Sequence, residues 1–204
     1  MKYDPGVRHR RSIRLKGYDY AANGAYFVTV CAQWRECLLG EVEEGSVRLN
    51  LAGEIVQAVW EGLPEHYPHV VLDAFVVMPN HVHAIIILQR QTGVGLETRA
   101  GLETRAGLRP APTPVGADSV GAGLRPALVP EMRDAPLSEV VRAFKSFSSR
   151  QINRLRDNPG VPVWQRNYYE RVIRNEGELE HARAYIAENP MKWAQDKENP
   201  SNVP

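Results

Sequence analysis

The stretch that decides the fold is residues 70–88, VVLDAFVVMPNHVHAIIIL. Two apolar runs flank Pro79 and Asn80, a pair of residues that is typical of tight turns. We therefore expect strands over residues 70–78 and 81–88, paired antiparallel. Because side chains alternate along a strand, His81 and His83 would project from one face of the sheet. Two imidazoles on one face of a buried strand are a candidate pair of metal ligands.

The rest of the chain supplies the elements that such a sheet needs. The predicted elements are a strand at residues 25–33, a hairpin of residues 38–42 and 46–49, a helix from Asn50 as N-cap to about residue 66, a helix at residues 138–156 with Ser138 as N-cap, a strand at 168–173 and a helix at 176–188. This order contains a βαββαβ core. It predicts an α+β, ferredoxin-like fold, an antiparallel sheet with helices on one face plus a small hairpin.

Residues 90–136 are a different kind of sequence. GLETRA occurs at residues 95–100 and again at 101–106, and GLRPA occurs at 107–111 and 123–127. Such short units, rich in Gly, Ala and Pro, offer little apolar surface to bury. We predict a single domain over residues 1–204, interrupted at about 90–136 by a low-complexity insertion that is dispensable for chemistry.

The net charge of +1 hides a segregation of charge along the chain. Residues 1–16 and 138–156 are strongly basic, whereas residues 41–65 are acidic. A local basic face suits a polyanionic partner, with solvated charged faces as the alternative interpretation. Cys31 and Cys37 are too few and wrongly spaced for a disulfide framework or a Cys-based zinc site. No signal peptide or membrane span is visible, which predicts a cytoplasmic protein with no membrane partner.

Two histidines alone bind a divalent ion weakly, so a third ligand is needed, and Asn189 is the candidate. Asn189 follows Tyr185 by four residues on the last predicted helix, so the two side chains lie within about 40° of each other around its axis. Both can point toward the sheet from the edge of the helix's apolar stripe. A phenol and a metal ligand would then share one small site.

The motifs together resemble a known family. MPNHVH at residues 78–83, FKS at 144–146, VWQRNYYERVIRN at 163–175 and AYIAENPMK at 184–192 are similar to the REP-associated tyrosine transposases. These proteins belong to the single-tyrosine branch of the HUH endonucleases, which are named for their His-hydrophobic-His motif. RRSIRLKGYDY and GAYFVTV near the beginning of the chain also resemble this family, so the likeness covers most of the chain except the insertion.

The resemblance implies a chemistry for these residues. His81, His83 and Asn189 would hold Mg²⁺ or Mn²⁺, and Tyr185 would attack a DNA phosphate to give a 5′-phosphotyrosine intermediate. The protein would be a transposase that cleaves and joins single-stranded or hairpin, REP-like DNA during DNA transposition and recombination. A monomer is favoured, with a dimer possible.

The predicted DNA contacts are basic residues of two segments. Backbone contacts are assigned to Arg142, Lys145 and Arg150, with Arg8, Arg10 and Arg11 as an accessory arm.

Several alternatives remain open at the level of sequence. The histidines could be structural, and Tyr168 or Tyr169 could be the nucleophile instead of Tyr185. A nucleotide-hydrolase pattern of three alternating histidines is disfavoured because the third position is Ile85. The alternative function is a decayed or domesticated hairpin-DNA-binding protein of the same fold. A replication initiator is a weaker third option, since no helicase or primase segment accompanies the domain.

Overall fold

The computed structural model describes residues 17–89 and 135–202. The predicted insertion falls almost entirely outside these residues, as do Arg8, Arg10 and Arg11. In chain order the strands and helices are β1 (Gly24–Cys31), β2 (Gly40–Glu43), β3 (Ser46–Leu49), α1 (Leu51–Glu61), α2 (Leu63–His66), β4 (Val70–Met78), β5 (His81–Leu88), α3 (Leu137–Leu155), β6 (Tyr169–Ile173) and α4 (Glu176–Glu188).

The main sheet has four antiparallel strands in the order β4-β5-β1-β6. This is the strand order of a ferredoxin-like βαββαβ core, and β2 and β3 form the separate hairpin. The predicted fold class is therefore confirmed. The histidine strand β5 pairs on both sides, with β4 and β1, so it is an inner strand.

The two helices of the βαββαβ core pack on one face of the sheet. Val82, Ala84, Ile86 and Leu88 of β5 face them and belong to the main hydrophobic cluster. Trp60 of α1 joins the layers, because its ring stacks on Phe75 of β4 at a 4.6 Å centroid distance and meets Phe144 of α3 edge-on. These contacts fix which face of β5 is left for the histidines.

The last helix, α4, lies on the opposite face, so the expectation that all the helices share one face is corrected for this helix. Its Tyr185 packs edge-on against Phe27 of β1 and His83 of β5, whose side chains point away from the α1–α3 layer. Asn175 begins the helix as N-cap by accepting a hydrogen bond from the Glu178 backbone N–H. Two 3₁₀ segments, Pro190–Gln195 and Pro200–Asn202, follow it.

Some boundaries differ from the sequence prediction. The helix expected from Asn50 to about His66 is interrupted at Gly62, although Asn50 caps it as predicted by accepting hydrogen bonds from the backbone N–H groups of Ala52 and Gly53. The N-cap of α3 is Pro136 rather than Ser138, because the extended conformation of Pro136 starts the helix two residues earlier, without a side-chain cap. Neither change moves a site residue.

Candidate active site and metal centre

The structure brings His81 and His83 together as a buried pair. Their exposed fractions are 0% and 1%, and their Nε2 atoms lie 3.1 Å apart. Two neighbouring ligands of an octahedral ion at about 2.1 Å are separated by about 3.0 Å. The spacing therefore fits two ligands of one metal ion.

Hydrogen bonds at Nδ1 orient both imidazoles. The Asn80 amide nitrogen donates to the carbonyls of Arg35 and Glu198, so its Oδ1 is left to accept from His81 Nδ1 at 2.8 Å. This arrangement leaves a lone pair on His81 Nε2. Thr29 Oγ1 lies 2.8 Å from His83 Nδ1, and a hydroxyl can either donate or accept there. Outer partners of this kind fix ring orientation in metal sites.

Both histidines are held in the neutral form that a metal requires. Burial lowers the pKa of His81 to about 4, although the nearby carboxylates of Asp196 and Glu198 raise it in part. Burial, with the charge of His81 as a second cause, lowers the pKa of His83 to about 2. At neutral pH neither proton competes with a cation.

Tyr185 lies beside this pair, on the same chain. Its hydroxyl oxygen is 3.5 Å from His83 Nε2, and its ring packs edge-on against the His83 ring at 5.1 Å. The side chain is 41% exposed, so its hydroxyl borders both the buried imidazoles and solvent. Burial raises the pKa of the Tyr185 phenol, and Asp196 adds to this, whereas a hydrogen bond from Asn189 lowers it.

Two oxygen-bearing side chains could complete a metal site. Asp196 is 8% exposed, its Oδ2 lies 3.9 Å from His81 Nε2, and it forms with the two histidines a group whose ligand atoms all lie within 4.8 Å of one another. Asn189 is 3% exposed, and its Oδ1 has no hydrogen-bond partner within the described part of the chain. A buried acceptor without a partner is costly, which a cation would relieve. The residues present therefore fit a divalent ion.

Sequence reasoning missed Asp196 and the role of Asn80. Asp196 directly follows the 3₁₀ segment Pro190–Gln195, where no helical or strand periodicity marks an inward-facing side chain. The sequence marks Asn80 only as a turn residue, whereas in the structure it is 0% exposed and joins His81 to two other segments of the chain. Its position directly before the first histidine was the available signal.

The two competing tyrosines have different positions. Tyr168 packs against the hydrophobic cluster on the α1–α3 side of the sheet, away from the histidines. Tyr169 is paired with Thr29, which is paired with His83, so these three side chains lie in a row across neighbouring strands on one face. Tyr169 thus shares the face of the site, two strands from His83.

The basic residues predicted on α3 line one groove together with residues 159–164. Arg142 bonds to Glu139, Arg150 lies over the Phe147 ring, and Lys145 donates to the backbone carbonyls of Gln165 and Arg166 at 2.7 and 2.9 Å. Since α3 packs on the other face of the sheet, this groove is separated from Tyr185 by the sheet itself.

An ion pair anchors the tyrosine helix to edge strand β4. Arg183 Nε and Nη2 donate to Asp73 Oδ1 and Oδ2 at 2.9 and 2.7 Å. Asp73 lies where the pairing of β4 with β5 shifts register between Leu72 and Phe75, and such a bulge redirects a side chain. The hydrogen bond from Arg183 lowers the pKa of the Asp73 carboxyl.

The chain is 35% identical over 197 residues to an uncharacterized protein of Haemophilus influenzae, covering 96% of each. The chain belongs to the family of that protein. No protein-family model matches the chain.

The fold is similar to that of a solved REP-associated tyrosine transposase bound to a REP hairpin. The TM-score is 0.51 at 20% identity, with 91% of this chain and 77% of that chain covered. This likeness shows a shared fold. Among the helices of residues 17–89 and 135–202, none combines the length and apolar character needed to cross a membrane.

Proposed function

We propose that this protein is a metal-dependent endonuclease and strand transferase for single-stranded or hairpin DNA, acting through a 5′-phosphotyrosine link at Tyr185. The observation that carries the proposal is the meeting of three groups on one face of the sheet. The Tyr185 hydroxyl lies 3.5 Å from His83 Nε2, which lies 3.1 Å from His81 Nε2. The fold shared with a transposase supports the same function.

His81 and His83 would hold Mg²⁺ or Mn²⁺, with an oxygen of Asp196 or Asn189 as third ligand. When bound, the ion supplies Lewis-acid stabilisation of charge on the scissile phosphate and the leaving oxygen. Two imidazoles favour Mn²⁺ over Mg²⁺, because Mg²⁺ prefers an all-oxygen shell.

Tyr185 carries out the bond exchange. The phenol gives up its proton to solvent and its oxygen forms a bond to phosphorus as the bond from phosphorus to the 3′ oxygen breaks. The leaving 3′ oxygen takes up a proton, which leaves a free 3′-OH and a 5′-phosphotyrosyl strand. A second 3′-OH can reverse this step and join a new strand. The raised pKa keeps the free phenol protonated at neutral pH, while the hydrogen bond from the Asn189 amide favours the phenolate.

A labelled hairpin oligonucleotide with single-stranded flanks, incubated with the protein and Mn²⁺, tests this function. We expect a protein–DNA adduct that survives denaturation, requires the metal and is absent from Tyr185→Phe. Specific binding by the native protein without any adduct would contradict the nuclease and favour a DNA-binding protein of the same fold.

The third ligand is tested by comparing Asp196→Ala with Asn189→Ala. Loss of a ligand should weaken Mn²⁺ binding, measured by calorimetry, by about 10- to 100-fold or more. A loss in Asp196→Ala alone assigns the carboxylate, and a loss in Asn189→Ala alone assigns the amide. Native affinity in both variants would contradict a third ligand from either residue.

A further inference from the structure

A cavity opens beside the candidate nucleophile, between α4 and the strand face. Its volume is about 480 Å³, and His83 and Tyr185 form part of its wall. Further along, its lining includes Tyr169, Arg171, His181 and Lys197. Pockets of about 300–1,000 Å³ hold small organic ligands, so one nucleotide fits this space.

One wall of the cavity offers an aromatic surface. Tyr169 is 43% exposed although it lies on a strand of the main sheet. Register fixes its place, because Tyr169 pairs with Thr29 and Thr29 pairs with His83. An exposed ring is thus aligned with the histidine that neighbours the Tyr185 hydroxyl.

Two cations accompany this ring. Lys197 Nζ lies 5.8 Å from the centre of the Tyr169 ring. Arg171 is the next residue on the same face of β6, and its side chain is 62% exposed. Glu178 also lines the cavity, and its Oε2 lies 3.7 Å from Arg171 Nη2, which holds the guanidinium at the wall. An aromatic face with nearby cations is the combination that binds single-stranded nucleic acid.

We propose that this cavity binds one unpaired nucleotide next to the scissile phosphate, with its base stacked on Tyr169 and its phosphates facing Arg171 and Lys197. The proposal rests on the proposed function, since it assumes that the DNA strand reaches Tyr185. A base paired within a duplex could not enter, so the cavity would select an unpaired or flipped-out nucleotide. Tyr169 is then a base-binding residue and not a competing nucleophile.

The binding test uses hairpin oligonucleotides with randomised single-stranded flanks. Sequences retained by the Tyr185→Phe protein are synthesised individually, and their affinities are measured by fluorescence anisotropy without metal. In that background, Tyr169→Ala should weaken binding by about 5- to 100-fold, and Tyr169→Phe should restore it to within about twofold. Lys197→Met should reduce the slope of log affinity against log salt concentration by about one. Lys192→Met is the matched control, because it removes a lysine that is paired with Glu188.

A scan of single abasic sites through the flanks locates the bound nucleotide. At one position beside the cleavage site, removal of the base should weaken binding to the Tyr169-containing protein but not to Tyr169→Ala. A uniform loss at all positions, or an unchanged affinity in Tyr169→Ala, would overturn the cavity proposal while leaving the proposed function intact. Absence of binding by every variant, with native folding confirmed by circular dichroism, would overturn both.

Discussion

Replacing Asn80 by alanine tests whether metal binding depends on the orientation of the His81 imidazole and not only on its presence. The substitution removes three hydrogen bonds, two donated to the carbonyls of Arg35 and Glu198 and one accepted from His81. At about 0.5–1.5 kcal/mol each, Asn80→Ala should lower the free energy of unfolding by roughly 3 kcal/mol. Thr29→Val is the matched variant, since it removes the single bond to His83 and should cost about 1 kcal/mol.

The decisive quantity is the increase in the free energy of unfolding that Mn²⁺ produces. An ion present at 100 times its dissociation constant stabilises the native protein by about 2.7 kcal/mol. If Asn80→Ala weakens Mn²⁺ binding 10- to 100-fold, this increment falls to about 1.4–0.4 kcal/mol at the same Mn²⁺ concentration. Urea unfolding with and without Mn²⁺ measures it for the native protein and both variants. An increment in Asn80→Ala as large as in the native protein would refute the role of Asn80 in holding a metal ligand.

Two further predictions concern the site's protonation and the position of its helix. The pKa values of His81 and His83 fall to about 4 and about 2 on folding. Below about pH 6.5, the unfolded chain therefore binds protons at these two residues that the metal-free folded chain does not bind. The free energy of unfolding should therefore be unaffected by these histidines above that pH and should fall below it by about 1.4 kcal/mol per pH unit for each histidine. Urea unfolding at about pH 7.5 and about pH 5.5 measures this fall. An equal fall in the variant His81→Gln/His83→Gln would show that the two histidines do not cause it. Asp73→Asn weakens the partly exposed ion pair with Arg183, so it should slow adduct formation at Tyr185 about fivefold while leaving the Mn²⁺ affinity unchanged. The exchange Asp73→Arg/Arg183→Asp should recover part of the rate. A native single-turnover rate in Asp73→Asn would argue against a role of this ion pair in positioning the helix.

Much of the fold could be predicted from local pattern. Strands β4 and β5 match their predicted ranges because two largely apolar runs flank a Pro-Asn turn. The range of α4 also matches, because Asn189-Pro190 ends the helix as predicted. Alternation within β5 was sufficient to place both histidines on one face, and the four-residue spacing from Tyr185 placed Asn189 near the phenol.

The parts that sequence did not reveal depend on contacts between distant segments. Asp196 lies more than a hundred residues from His81 along the chain and approaches it only through the folding of the 3₁₀ segment onto the sheet. Asp73 is the one charged residue in the run 70–78, but neither the register shift beside it nor its distant partner Arg183 can be read from the sequence. The predicted DNA contacts follow charge density in residues 1–16 and on α3. The proposed contacts Arg171 and Lys197 come instead from the cavity that they line together with Tyr185, and the linear sequence does not show that cavity.

The identity of the residue that becomes linked to DNA tests the central claim most directly. Hairpin oligonucleotides labelled on either side of the cleavage site would be incubated with the native protein and Mn²⁺, and the adduct would be digested and mapped by mass spectrometry. We predict that only the strand on the 3′ side of the break stays attached, through its 5′ phosphate, to the peptide that contains Tyr185. Attachment to Tyr169 or any other residue, or an adduct of equal yield in Tyr185→Phe, would contradict the account.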